Sequence, residues 1–305
     1  MPATFINSFQ IDRRLFRAEI RASLAHADGL FRAGILTRQE NERIKNGLWT
    51  ILKRADFDRQ YFDALPSPDI FAFVEARLFQ LINDGAAKLK IGRSLEHQTA
   101  IALRIWIRDE ILLVVERLEH LEEILQSSNE PILVAFFEMF DRDREIFGEV
   151  LLRANRLPHV EITGQKDESL TEIDFPEIAR DLGFASVTHN ALESASDRDF
   201  CLEFVGAASF VMLHLARLSS EVLNNFPNLP ADAQSAFETM RGKSGKIFGN
   251  QTALLSLLKS SPLVVTKDLQ EINSIVFETA DTIKGCLQMT GSVLESFTSL
   301  SVIKR

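Results

Sequence analysis

Residues 97–127 read HQTAIALRIWIRDEILLVVERLEHLEEILQS. Apolar side chains recur at Ile101, Ile105, Leu112, Val115, Leu118, Leu121 and Leu125, three to four positions apart but for one seven-residue step, two helical turns, from Ile105 to Leu112. That spacing predicts one long amphipathic helix. Pro131 then opens a second, PILVAFFEMFDRDREIFGEVLLRAN, running to about Asn155, whose first turns are apolar almost all round and should be buried on several sides. The same period predicts long helices over 186–224 and 232–259. After Pro262 a fifth helix or helix pair follows over 263–298. No alternating run of β-branched residues stands between turn signals, so no strand is predicted. The chain reads as all-α: a layer of shorter helices over 1–95, then a bundle of very long helices over 96–305. Helices of this length favour packing in more than one subunit, which predicts a homo-oligomer.

Composition narrows the function. Of 305 residues, 46% are hydrophobic and 25% charged, the balance of a globular protein with a sizeable core. A net charge of −9 disfavours nucleic acid and anionic membrane surfaces as partners, since both reward clustered Lys and Arg. Cys201 and Cys286 both fall in apolar helical patterns and read as buried thiols in a reducing compartment. No uncharged apolar run is long enough to span a bilayer, and the N-terminus has no signal-peptide core, so a cytoplasmic location is predicted. The six histidines (His26, His97, His120, His159, His189 and His214) lack metal-ligand spacing, and neither a metal nor another cofactor is assigned.

The stretch MRGKSGKIFGNQ, residues 240–251, imitates the end of a phosphate-binding loop. A full loop of that kind needs glycine five positions before Gly242, where Phe237 stands, and a strand leading in, where a helical pattern stands. Read as helix, it carries Gly242, Gly245 and Gly249 at helical spacing, which predicts close helix contact.

Several longer stretches carry a family resemblance. They are SFQIDRRLFRAEIRASLAHADGL (8–30), KLKIGRSLEHQ (88–98), NALESASDRDF (190–200), RGKSGKIFG (241–249), PLVVTKDLQE (262–271) and DTIKGCL (281–287). In this order they resemble argininosuccinate lyase of the fumarase/aspartase superfamily. The resemblance covers most of the chain and implies a fumarase/aspartase-like central helical bundle assembled as a homotetramer. It also implies a reaction, the β-elimination of argininosuccinate to arginine and fumarate. That chemistry removes a weakly acidic C–H proton beside a carboxylate and needs a positioned base and stabilising donors. The family takes its base from a serine on a mobile loop, G-S-S-x-M-P-x-K-x-N-P, and uses a Thr-His pair on a second segment. Different subunits complete each site.

This chain departs from that pattern where the chemistry should be. Before Arg241 stands NNFPNLPADAQSAFETM (224–240), with Ser235 its only serine and no Gly-Ser-Ser or Met-Pro. Where the Thr-His segment should precede Pro131, the chain passes directly through Ser127, Ser128, Asn129 and Glu130. Thr188-His189 lies in the wrong place to replace it. The family's G-R-S-R-N-D-Q stands as Gly92 to Gln98, with Glu96 at the substrate-binding asparagine, and its E-D-I-H as Pro68 to Phe71. Its Y-N-K-D-L-Q-E-D-K keeps Lys267 and Gln270 but has Val265 for the tyrosine and Asn273 for the last lysine. Its G-S-G-A-L-A-G stands as His159 to Gln165. The chain ends at Arg305, soon after the bundle, so the family's C-terminal helical domain is expected to be missing.

By resemblance, Ser23, Arg93, Ser94, Gln98, Lys267 and Gln270 are vestigial substrate-binding residues, and no catalytic residue is assigned. For Ser23 a small residue at a close helix contact is an equal alternative; for Arg93 and Gln98, a solvated helix start. Asp197, Arg198 and Asp199, two acids flanking a cation in a long helix, read as an ion-pair network between helices, and the charge run Glu116 to Glu123 as a solvated face. The expectation is a lyase-fold protein that has lost elimination activity, homo-oligomeric or mixed with an active paralogue. Alternatives are an active or weakly active lyase with a rebuilt or partner-completed site, and a scaffold for an unrelated protein.

Overall fold

The computed structural model describes residues 8–58, 60–159, 173–259 and 269–299. Residues 160–172 and 260–268, Lys267 among them, lie outside this set, as does the side chain of Gln270. Helices dominate: α1 (Phe9–Asp12), α2 (Phe16–Arg32), α3 (Arg38–Phe57), α4 (Ile70–Ile82), α5 (Leu95–Gln126) and α6 (Pro131–Ala154). A two-residue strand β1 (Arg156–Leu157), then α7 (Phe175–Asp181), β2 (Ser186–Val187) and α8 (Ala191–Ser196) follow. Three long helices close the chain: α9 (Asp199–Asn225), α10 (Ala231–Leu258) and α11 (Leu269–Ser299). The fold is all-α, with one small correction. β1 and β2 pair in parallel, Arg156 with Ser186 and Leu157 with Val187, a contact too short to leave a periodic signal.

Packing divides the described chain into two compact units. One draws on residues up to Trp106 and on Asn155 to Asp197; the other on Ile107–Ala154 and on residues from Arg198 onward. The described residues between β1 and α8 thus belong with the N-terminal helices, although they follow α6 in sequence.

In the first unit, side-chain caps set where helices begin. Thr37 and Glu40 form a reciprocal capping box at α3, and Asp69 Oδ1 accepts the Ala72 N–H at 2.8 Å to start α4. The core under these helices holds Leu15, Ile20, Leu30, Ile44, Leu48, Ile51, Ile70 and Phe73. Each such side chain contributes about 1.5–3 kcal/mol by leaving water. Gly47 lets α3 approach α4 closely, since a Cβ there would stand 2.6 Å from Leu78 Cδ1.

In the second unit α9 packs against α6, α10 and α11. Phe204 on α9 meets Phe147 on α6 edge-on at 5.9 Å, and Phe140 and Phe237 are also fully buried. α9 amends one expectation. With a mean hydropathy of 1.5 it is long and apolar enough to cross a bilayer, but 56% of that window is buried in the protein. Its apolarity comes from packing on three helices. The helix predicted over 186–224 is broken, because α8 ends at Ser196 and α9 restarts at Asp199.

Along α5 the expected Ile105, Leu118, Leu121 and Leu125 are buried, and only the middle of the helix departs: Leu112 is 56% exposed, and Ile107, Ile111 and Val114 turn inward there. Nor is the Glu116 to Glu123 run wholly solvated: Glu122 is buried, and Arg144 on α6 donates to both its oxygens at 3.0 Å. Along α10, a Cβ placed on Gly242, Gly245 or Gly249 meets no atom within 4 Å. The predicted close contact is therefore not made within the chain, and these glycines line an open face.

Candidate functional site

The first unit gathers three of the residues singled out by sequence around one that was not. Glu19 and Ser23 sit four apart on α2, hence on one face, and both are almost fully buried. The Ser23 hydroxyl donates to Glu19 Oε1 at 2.6 Å. Arg93 Nη1 donates to Ser23 Oγ at 2.8 Å, and Arg93 Nη2 lies 3.2 and 3.3 Å from the two oxygens of Glu19. Gln98 Nε2 donates to Glu19 Oε1 at 3.5 Å. Arg93 reaches this point from a tight turn before α5 in which Gly92 adopts φ 71°, a left-handed conformation that glycine adopts without a Cβ penalty.

Burial tunes the titratable groups. It pushes the Glu19 carboxyl above its ordinary range, against the opposing pull of the Arg93 guanidinium. His26, one turn beyond Ser23, donates Nε2–H to the Ile91 carbonyl at 2.8 Å. Burial first, and the nearby Arg93 charge second, push its pKa down to about 3, so the ring is neutral. Burial likewise lowers His97, although the backbone of His159 and Ala191 beside its ring favours the protonated form.

These findings revise the readings of individual residues. Ser23 is neither a mere spacer nor open to solvent; its hydroxyl links Glu19 to Arg93. Arg93 and Gln98 are buried, with the Arg93 side chain only 6% exposed, so a solvated helix start does not describe them. Ser94 turns away from the cluster: its Oγ meets His97 Nδ1 at 2.8 Å and the His97 N–H at 3.4 Å, at the start of α5. Asp69, in the stretch matching E-D-I-H, is the α4 cap described above. Asp197 lies in the break between α8 and α9 and pairs with the buried Arg104 of α5. Sequence reasoning missed Glu19 and His26. The signal was present, since both share the helical face of Ser23, but a lone carboxylate or histidine on an apolar face has many ordinary explanations.

The space left beside the cluster is small. A cavity of about 20 Å³ is lined by His26, Arg93, His97, Gln98 and apolar neighbours including Ile101 and Phe175. It holds one water at most, against roughly 300–1,000 Å³ for a small-molecule pocket. An open groove of about 710 Å³ lies along α7, lined by His159, Phe175, Arg180, Phe184, Val187 and His189 among others. None of the six residues given a substrate-binding role by the resemblance lines it, although His159, first of the stretch matching G-S-G-A-L-A-G, does. Its Thr188 is engaged, accepting the His159 N–H at 2.7 Å and hydrogen-bonding to Ser194.

Two connections outside this cluster are short. α5 and α6 are separated by residues 127–130 alone, and α9 and α10 by residues 226–230, which read FPNLP.

Comparison with known proteins places the chain among lyases. No protein-family model matches it. It is 36% identical to the argininosuccinate lyase of Trichlorobacter lovleyi, a match covering 95% of this chain and 71% of that protein. The match extends over 331 positions, whereas 95% of this 305-residue chain is only about 290 residues, so the relative has positions with no counterpart here. Among solved structures, EDDS lyase in complex with formate superposes with a TM-score of 0.72 at 18% identity, covering 95% of this chain and 66% of that one. Class II fumarase from Schistosoma mansoni gives 0.73 at 13% identity, covering 91% and 74%. At these identities the structural matches speak to the fold, that of the fumarase/aspartase superfamily.

Proposed function

The chain belongs to the argininosuccinate lyase family, and from that premise we propose that it keeps the family scaffold without the β-elimination chemistry, acting as a structural or regulatory subunit. The observation that carries this reading is the connection between α9 and α10. Where the resemblance places a serine-bearing catalytic loop, residues 226–230 join the two helices and hold no serine, lysine or glycine. A base must reach the substrate proton to within hydrogen-bonding distance, and a five-residue link between long helices offers no such group. The four-residue link from α5 to α6 supports the same reading, because the Thr-His segment is expected there. The self-satisfied cluster around Glu19 supports it from the binding side.

In this reading the protein is a cytoplasmic oligomer, a homotetramer by family resemblance or a mixed assembly with an active paralogue. The apolar side chains exposed on the second unit fit an assembly: Leu112, Val134, Leu152, Phe210, Leu213 and Leu255 are all at least 38% exposed.

A second reading, a weakly active lyase completed by groups from neighbouring subunits, is favoured by one observation, that Ser23, Arg93 and Gln98 remain clustered. One assay separates the two. Purified protein incubated with argininosuccinate should produce no fumarate absorbance above background. Turnover that disappears in Ser23→Ala or Gln270→Ala would overturn the first reading.

A further inference from the structure

The geometry points to Glu19 as an internal ligand: its carboxylate occupies an anion site formed by Arg93, Ser23 and Gln98 and closes that site to external carboxylates. The inference rests on the reading of this cluster as a vestigial binding site, and it adds what now fills it.

Three features carry it. First, the donors converge. A guanidinium, a hydroxyl and an amide, drawn from α2, the turn before α5 and α5 itself, all engage one carboxylate at 2.6–3.5 Å. A lone structural ion pair needs one partner; a set of different donors aimed at two oxygens is how a protein recognises an anion. Second, the set is buried. Side-chain exposure is 6% for Arg93 and 1% for Glu19, so an unfilled version would leave a buried guanidinium without a counter-ion, a costly state. Third, the remaining space admits at most one water, so no second carboxylate fits while Glu19 is in place. Glu19 can play this part because it stands one helical turn before Ser23, which directs its side chain to where Arg93 arrives.

Vacating the position tests the idea. In Glu19→Ala the donors remain and the space of one methylene and a carboxylate opens beside the cavity. Its melting temperature in chloride should fall below wild type. It should then rise by a few degrees, saturably, as acetate replaces chloride up to about 100 mM at constant ionic strength. Formate should act likewise, and Arg93→Ala in the same background should abolish the effect. Wild-type protein should show no acetate-specific shift over the same range. Two results overturn the proposal: Glu19→Ala responding no more to acetate than to chloride, or wild type responding as strongly as the variant. The wild-type arm is decisive even if the variant does not fold. Its outcome is also independent of the turnover assay: wild-type protein that binds acetate yet makes no fumarate would refute the internal ligand and leave the loss of activity standing.

Discussion

Two buried carboxylates, one in each unit, show how differently the same group can be held. Glu19 and Asp143 are each about 1% exposed, and burial pushes both carboxyls up. Glu19 is met by three donors from separate segments. Asp143 on α6 is met by one, His214 Nδ1 on α9 at 2.6 Å, and Phe140 closes edge-on against that imidazole at 6.1 Å. A single partner on a facing helix pins two helices together. A surplus of donors around one anion, with a water-sized space beside it, is the arrangement that the proposed internal ligand requires.

The largest effect should come from removing the cation in the first region. Arg93→Ala strands Glu19 and removes a bond to Ser23, and should cost about 3–5 kcal/mol in urea unfolding. His214→Ala removes one hydrogen bond from a carboxyl that burial already favours in its protonated form, and should cost about 1–3 kcal/mol. Equal losses would break the contrast between the two regions.

A pH series sharpens it. Folded His26 resists protonation down to about pH 3, while the unfolded ring takes up its proton near 6.5. Its contribution is complete above 6.5 and is lost as pH falls toward 3, by at most about 1.4 kcal/mol per unit. Glu19 and Asp143, with raised folded values, act in the opposite sense and favour the folded state as pH drops. On going from pH 7 to pH 5 the denaturation midpoint of His26→Gln, whose amide can still donate to Ile91, should therefore move upward relative to that of wild type.

The smallest effect belongs outside both regions. Gly245→Ala, on the open face of α10, should raise helix stability by about 0.5–1 kcal/mol. Size-exclusion chromatography gives a second readout, since weakened self-association would show that this face is covered in the assembly.

Much of the fold was legible in the linear pattern. Starts at Pro131 and Ala231 follow from proline and from the onset of apolar spacing, because both act within one turn. The inward face at the middle of α5 was not. Leu112 and Ile111 are equally apolar, and only the positions of neighbouring helices decide which is turned inward. The break at Asp197 was hidden because Asp-Arg-Asp suits a helix interior as well as a junction. At the candidate site, Ser23, Arg93 and Gln98 were visible as motif positions. That they converge on Glu19 was not, since seventy residues separate Arg93 from Ser23.

The sequence by itself determined that this is an all-helical lyase-family chain, and its short stretches before Pro131 and Ala231 are where the proposed loss of catalytic segments was read. Helical period, chain length and residue identity are local properties, readable without coordinates. Only the tertiary structure decided where Ser23, Arg93 and Gln98 come together. Whether a guanidinium faces water, a ligand or an internal carboxylate depends on which distant segment is packed against it, and here that segment brings Glu19.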